Sequence, residues 1–184
     1  RPESDSFTPR VTIGSMSTVN TTCEDNDGNL WVATSNMGLY KHTPHNSAWT
    51  NYKNCFIGES PSHIGNILCI KQDSKGRVWF GMDGNGLCTY NKEKDRIESV
   101  TTVEEWMHKE NIYAIQEDRS GNIWMSTDKG LVMFNPSGHI RTYGTADGLK
   151  DSRFSINASV RRTFCRISSI TFLAFGFFHA FIFF

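Results

Sequence analysis

Acidic turns are the residues whose type and spacing could bind a cation. The run DNDGN at 25–29 presents two carboxylates and two amides within five residues. A calcium loop of the EF-hand type needs a glycine at its sixth position and a glutamate at its twelfth. Here the glycine is fourth and the twelfth residue is Asn36. Two related runs carry Lys75 and Arg119 in the turn, where a cation would repel a metal ion. The sequence therefore predicts tight turns and no metal site.

Histidines, cysteines and glycines supply no catalytic pattern either. The six histidines (42, 45, 63, 108, 139 and 179) show neither pairing at i, i+4 nor an HExxH motif. The five cysteines (23, 55, 69, 88 and 165) show no CxxC or CxxH spacing, and their odd number argues against a complete disulfide framework. Three of them, Cys23, Cys69 and Cys88, lie in apolar positions that predict buried, inert thiols. The sequence predicts no catalytic residue and no cofactor, so we expect no enzyme activity.

The acidic turns belong to a repeat that organises the chain. Each copy reads Asp, two residues, Gly, two residues, Trp, and the tryptophans recur about 45–48 residues apart. Such an aspartate accepts hydrogen bonds from turn amides, and the tryptophan is of a type that packs in a core. We therefore interpret the repeated positions as structural; they are Asp25, Gly28, Trp31, Asp73, Gly76, Trp79, Asp118, Gly121 and Trp124.

Four short strands per copy must position these turns. The first copy predicts strands at 19–24, 29–34, 39–42 and 49–53, the second at 67–72, 77–82, 87–90 and 96–100, and the third at 112–117, 122–127, 131–134 and 139–143. The second strand of each copy is apolar on both faces, which predicts burial between neighbouring sheets. The fold class predicted is all-β: a β-propeller fragment of about three four-stranded blades plus the start of a fourth.

These copies divide the chain into segments. Residues 17–61, 62–107 and 108–147 form the three predicted blades, and residues 148–162 begin a fourth. Residues 1–16 are polar and read as an incoming linker or the end of a preceding blade. Residues 163–184 form an atypical tail that holds 8 of the 13 phenylalanines and no acidic residue.

Two interpretations of the tail compete. Residues 167–184 lack a formal charge over 18 positions, the lower limit for a membrane span. Alternatively the tail is a non-native ending, such as the product of an out-of-frame translation. In the fourth copy the repeat spacing places the turn glycine at Thr163 and the tryptophan at Arg166, and neither residue fits. Because the composition changes where the repeat fails, we favour the second interpretation.

The repeated columns resemble the two-component regulator propeller repeat over residues 19–157. The resemblance implies a seven-bladed propeller from the periplasmic sensor of a hybrid two-component system of the Bacteroidetes type, often tuned to oligosaccharides. It implies periplasmic localisation, although the chain shows no signal peptide. The implied partners are an oligosaccharide and the neighbouring blades of the full-length protein, with a membrane reached through the parent protein or through the 167–184 tail. The formal net charge of zero gives no basic field for nucleic acid.

Ligand contacts in such a propeller would come from side chains outside the shared columns. Aromatic rings stack on sugar faces, and the candidates are Trp49, Tyr52, Phe56, Trp106 and Tyr113. An alternative function is an enzymatic propeller that resembles the streptogramin lyases, which would need a His/Glu constellation at the mouth of a closed ring. Another alternative is a bare protein-interaction scaffold, which would bind a protein and no glycan.

Overall fold

A computed structural model describes residues 17–45, 48–100, 109–135, 137–149, 153–164, 167–174 and 180–183. Seventeen β-strands account for most of these residues, and short turns join them. Within these described residues, no helix is long and apolar enough to cross a membrane.

The first and third sheets are four-stranded antiparallel meanders. The first contains β1 (Val19–Glu24), β2 (Leu30–Thr34), β3 (Leu39–Thr43) and β4 (Ala48–Tyr52), paired in that order. A hairpin follows, formed by β5 (Asn54–Ile57) and β6 (Ser60–His63). The second sheet contains β7 (Ile67–Gln72), β8 (Val78–Met82), β9 (Leu87–Asn91) and β10 (Arg96–Ser99). The third contains β11 (Ile112–Glu117), β12 (Ile123–Thr127), β13 (Gly130–Phe134) and β14 (Ile140–Tyr143).

The hairpin of β5 and β6 is a departure from the predicted pattern. It extends the second sheet to six strands in the order β6-β5-β10-β9-β8-β7, and β5 runs parallel to β10. This parallel pairing joins only Cys55 to Ile97 and Phe56 to Glu98. The hairpin sequence carries Pro61 and polar neighbours, so neither alternation nor an apolar run predicts a strand there. Tertiary pairing with β10 is what orders it.

The fourth sheet extends past the point where the repeat fails. It consists of β15 (Phe154–Phe164), β16 (Ile167–Ala174) and β17 (Ala180–Phe183), paired antiparallel in that order. β15 crosses the predicted boundary between residues 162 and 163, and β16 continues the sheet with residues of the phenylalanine-rich tail. The frameshift and membrane interpretations of residues 163–184 stay predictions.

The first strands of successive sheets lie side by side: β1 beside β7, β7 beside β11, and β11 beside β15. The second strands are buried on both faces, with every residue of β8 buried. Small residues make this stacking possible, since Ala33 is 0% exposed and Ser126 is 1% exposed. A Cβ atom on Gly81 would lie 2.7 Å from the Ile112 carbonyl oxygen of the next sheet. The core is therefore formed between sheets as well as within each sheet.

Candidate functional site

The three repeated aspartates form the same hydrogen-bonded turn. In the second sheet, Asp73 Oδ1 accepts from the backbone N–H groups of Lys75 at 3.0 Å and Arg77 at 2.9 Å. Its Oδ2 accepts from the indole N–H of Trp79 at 2.9 Å and from Arg77 Nε at 2.7 Å. Each carboxylate thus accepts hydrogen bonds from the backbone amides two and four residues later in the chain and from the indole of the tryptophan six residues later.

The other two turns repeat this geometry. The indole N–H of Trp31 donates to Asp25 at 2.8 Å, and that of Trp124 donates to Asp118 at 2.8 Å. Burial by itself would raise the pKa values of these aspartates, but the several hydrogen bonds to each carboxylate together outweigh it and lower them. Because their oxygens already accept hydrogen bonds from the protein itself, these carboxylates stabilise the turns.

The tryptophans differ in how much of the next sheet covers them. Trp31 is 0% exposed and packs on Phe80 and Tyr90 of the second sheet, with ring centroids 5.4 and 4.9 Å away. Trp79 is 2% exposed and meets Phe134 of the third sheet at 6.3 Å. Trp124 is half-buried and stacks on Tyr143 of its own sheet at 5.5 Å.

In the second and third sheets, the residue that precedes the repeated aspartate makes a hydrogen bond to the preceding sheet. Gln72, at the end of β7, accepts from the Asn26 backbone N–H of the first sheet at 3.0 Å. Glu117, at the end of β11, accepts from Ser74 N at 2.8 Å and from Ser74 Oγ at 2.6 Å. The acidic turn of one sheet is therefore held by the first strand of the next sheet.

The candidate ligand-binding site lies at the other end of the sheets. Because the strands are antiparallel, the start of each first strand and the turn after each second strand lie at the same end, opposite to the acidic turns. The first strands each contain a register irregularity, between Val19 and Thr21 in β1 and between Ile112 and Ala114 in β11. Bulges of this kind redirect a side chain and are common beside binding sites. The intervening residues are Asn20 and Tyr113.

Six polar side chains are brought together at this end. We call them the polar row: Asn20, Asn66, Asp83, Asn111, Tyr113 and Asp128. Each is half-buried or exposed, so the row is accessible from solvent. The row contains amides, carboxylates and one phenol, and it contains no basic side chain.

Hydrogen bonds connect the polar row across three sheets. Asn20 Nδ2 donates to Asn66 Oδ1 at 2.7 Å, which joins the first sheet to the second. Asn111 Oδ1 accepts from the Gly84 backbone N–H at 2.7 Å, which joins the second to the third.

Within the third sheet, the Tyr113 hydroxyl donates to Asp128 Oδ1 at 2.6 Å. Burial, followed by this hydrogen bond, raises the pKa of Tyr113. The row is therefore a preorganised set of donors and acceptors rather than a collection of independent loop residues.

The aromatic residues predicted to contact a ligand do not form one site. Tyr113 lies in the polar row. Tyr52 is 8% exposed, and its hydroxyl donates to Asp95 at 2.6 Å, so its ring belongs to the interface between the first two sheets. Trp49 lies on β4 beside His42, with the ring centroids 4.8 Å apart. Phe56 lies on the hairpin under the guanidinium of Arg96, at 4.5 Å. Trp106 lies outside the described residues.

A concavity of about 200 Å³ lies between the first two sheets at the end that carries the acidic turns. Two of its basic side chains form ion pairs: Lys92 with Asp27 at 2.7 Å, and Arg77 with Asp73. Lys41 donates to the Tyr90 hydroxyl at 2.9 Å. Within the described part of the chain, no group of three or more His, Cys, Asp or Glu side chains is arranged to hold a metal ion.

Sequence reasoning missed five of the six residues of the polar row because they are not aromatic. A signal was present, however. Asn66 and Asn111 each precede a first strand, and Asp83 and Asp128 each follow a second strand, so the pairs occupy equivalent positions. Polar residues at equivalent positions on one end of a repeat protein indicate a shared surface.

The stacked four-stranded meanders are those of a β-propeller, and the comparisons with known proteins agree. Residues 13–36, 63–84 and 108–129 match the family model of the two-component regulator propeller. The chain therefore contains three two-component regulator propeller repeats, as its repeated columns predicted. No curated protein matches the sequence significantly.

Solved structures with the same fold include extracellular domains from B. thetaiotaomicron. One is assigned to the hybrid two-component system BT3049, with 20% identity and a TM-score of 0.67 over 88% of this chain and 20% of that chain. Another belongs to BT4673, described as a one-component system, with 19% identity and a TM-score of 0.64 over 84% of this chain and 20% of that chain. A second BT4673 structure, described as a hybrid two-component system, has 21% identity and a TM-score of 0.60 over 84% and 19%.

These likenesses confirm the prediction of an all-β propeller fragment. At this level of identity they show the fold alone. The chain spans about a fifth of the length of these structures.

Proposed function

We propose that this chain is part of the sensor propeller of an extracytoplasmic two-component protein and that its polar row binds a neutral oligosaccharide without chemical turnover. The observation that carries the proposal is the hydrogen-bonded set of amides, carboxylates and phenol across three sheets. The three matches to the two-component regulator propeller repeat support the sensor role. Neighbours in structure that are extracellular domains support the location.

The chemistry of the polar row favours a neutral sugar. Asparagine amides donate and accept, and carboxylates accept from hydroxyl groups, which suits the vicinal hydroxyls of a saccharide. Asp83 and Asp128 are exposed, and the row offers no cation, so a sulfated or carboxylated sugar would meet electrostatic repulsion. Tyr113 adds an aromatic ring beside the amide of Asn111.

Absence of catalysis is part of the proposal. The repeated carboxylates Asp25, Asp73 and Asp118 are engaged by turn donors and by tryptophan. Among the described histidines, His42 packs against Trp49 and His63 lies on the hairpin, and neither belongs to the polar row. A lyase-like activity would require a histidine or glutamate base placed at the ligand. The remaining blades and the membrane attachment belong, in this proposal, to the parent protein.

An array of immobilised oligosaccharides, neutral and acidic, tests the proposal, with isothermal titration of the strongest ligand to follow. We expect binding to a neutral glycan. Asp128→Asn and Tyr113→Phe should each weaken it about tenfold, or about 1.4 kcal/mol, because the first replaces a charged acceptor of the row by a neutral one and the second removes the hydroxyl that donates to Asp128. Asp27→Asn, at the opposite end, is the control and should bind like the unchanged chain.

Circular dichroism of each variant verifies folding in this experiment. Binding to acidic glycans only, binding unaffected by both row variants, or capture of a protein with no glycan bound would each contradict the proposal. Turnover of the bound glycan would contradict the non-catalytic part of it.

A further inference from the structure

We propose that Cys55 and Cys88 are the two halves of a structural disulfide that ties the β5–β6 hairpin to the second sheet. The two sulfur atoms lie 3.0 Å apart. Both side chains are buried, with Cys55 2% exposed and Cys88 0% exposed. The proposal does not depend on the ligand of the polar row.

Strand register places the two cysteines on the same face of the second sheet. Cys55 on β5 pairs with Ile97 of β10, and Cys88 on β9 pairs with Ser99 of the same strand. Positions 97 and 99 point to the same face of β10, since side chains alternate along a strand. Both cysteines therefore lie on one face of the sheet, on either side of β10. A disulfide bond is about 2.05 Å long and needs its Cα atoms within about 7 Å, so its formation closes a sulfur gap of about 1 Å and draws β5 and β9 together across β10.

The neighbouring sulfurs are less suited to this bond. Cys69 faces the next sheet, where its thiol donates to the Ile112 carbonyl oxygen at 3.5 Å. Cys23 is half-buried in β1, where its thiol lies 3.6 Å from the Glu24 carbonyl oxygen. Cys165 lies outside the described residues. Of the four cysteines that the structure describes, only Cys55 and Cys88 have their sulfurs in contact.

The bond between Cys55 and Cys88 forms by thiol–disulfide exchange with a low-molecular-weight disulfide such as oxidised glutathione, which is the oxidant. One cysteine thiolate attacks the donor and releases one glutathione thiol. The second cysteine then attacks the mixed disulfide and releases the other, so two cysteine thiols are oxidised and one donor disulfide is reduced. The contact with the Cys55 thiol, together with burial, holds the pKa of Cys88 well above its ordinary value. Because exchange needs a thiolate, the bond forms during folding or while the hairpin is open.

The bond would fasten two blades at their outer edge. The hairpin directly follows β4, the last strand of the first sheet, and it joins β10 through two residue pairs only. Exposed ion pairs between Glu59 of the hairpin and Arg96 of β10 add little by themselves. A cross-link from β5 to β9 would therefore contribute more to holding the hairpin than its hydrogen bonds and surface charges do.

Refolding the full chain in a glutathione redox buffer tests the proposal. Non-reducing peptide mapping by mass spectrometry should recover the peptides of Cys55 and Cys88 as one linked species, lighter by two hydrogens than the reduced pair. Reduction should lower the Tm by about 5–10 °C, the effect of opening a cross-linked loop of this size. The double variant Cys55→Ala/Cys88→Ala should show no such change on reduction.

Cys23→Ser is the matched control, because it removes a half-buried thiol that the proposal does not use, and it should keep both the link and the Tm change. Recovery of Cys55 and Cys88 as free thiols from folded, soluble protein after refolding would overturn the proposal. A link from either residue to Cys69 or Cys165 would overturn it too. The mapping of the unsubstituted chain decides the question even if a variant fails to fold.

Discussion

At the scale of single residues, each repeated aspartate connects a turn to the core, because one carboxylate binds both the turn amides and a tryptophan. Each carboxylate accepts from amides two and four residues on and from the indole of the tryptophan six residues on. The fixed spacing of aspartate, glycine and tryptophan in the sequence follows from this geometry. Hydrogen bonds to a charged group contribute about 1.5–3 kcal/mol, more than bonds between neutral groups.

Asp73→Asn should therefore lower the free energy of unfolding by about 2–3 kcal/mol, because the new amide N–H₂ cannot accept from Trp79 and Arg77. Urea denaturation at neutral pH measures this change. Asp27→Asn, in the first acidic turn, removes only an exposed ion pair with Lys92 and should change stability by less than about 1 kcal/mol. Equal losses in the two variants would contradict the structural role of Asp73.

The pH dependence of stability follows from the same carboxylates. Their pKa values are lower in the folded chain than in the unfolded one, so their contribution is present above about pH 4 and disappears as the pH falls through the folded values. The free energy of unfolding should fall between about pH 5 and pH 3. Asp73→Asn should reduce that slope, and an unchanged slope would show that Asp73 does not contribute.

Tryptophan burial predicts unequal effects at equivalent positions. Trp79→Ala should cost about 3–5 kcal/mol because the side chain is 2% exposed between two sheets. Trp124→Ala should cost less, since that ring is half-buried and stacks on Tyr143 of its own sheet. Thermal or urea unfolding of the two variants measures the difference. A larger loss of unfolding free energy for Trp124→Ala than for Trp79→Ala would contradict the burial of Trp79 between two sheets.

At the scale of elements, the strands were predictable and their connections were less so. β1, β7 and β11 have the predicted bounds, because the apolar runs and the Asp-x-x-Gly turns that delimit them are local signals. The β5–β6 hairpin was missed since its pairing with β10 is non-local. The polar row was missed for a similar reason: antiparallel pairing, rather than spacing along the chain, brings the start of one strand next to the turn after another.

The hydrogen bond from Glu117 to Ser74 predicts an effect on the packing of one sheet on the next. Glu117→Ala should destabilise the chain by about 2–3 kcal/mol because it leaves the Ser74 N–H and hydroxyl without their charged acceptor. The matched control is Glu24→Ala, at the equivalent position of β1, where the side chain is exposed. Urea denaturation compares them, and equal stabilities of the two variants would contradict this role for Glu117.

Close packing of the second and third sheets predicts that Gly81 tolerates no side chain. Gly81→Ala places a Cβ atom 2.5 Å from Cys69 Sγ and 2.7 Å from the Ile112 carbonyl, so β8 or β11 must shift. We expect a loss of about 1–3 kcal/mol, as for overpacked cores. Gly65→Ala is the control, because its added Cβ meets nothing within 4 Å. A loss at Gly65 equal to that at Gly81 would show that the effect is not one of packing.

At the scale of the whole molecule, the chain is a set of blades whose first strands lie side by side. In this arrangement the acidic turns lie at one end of the sheets and the polar row at the other. At the first end, the polar groups of the acidic turns form hydrogen bonds within each turn and to the next sheet. The second end offers donors and acceptors that are organised by the fold and open to solvent.

The central claim is that a neutral oligosaccharide binds at the polar row, and an NMR titration tests it most directly. Amide spectra of the labelled chain are recorded as the strongest neutral glycan from the array is added. We predict that the Asp83, Gly84, Asn111 and Asp128 amides shift in a saturable manner while the amides of the Asp25 and Asp73 turns do not. Shifts confined to the acidic turns, or no saturable shifts with any neutral glycan on the array, would contradict the claim.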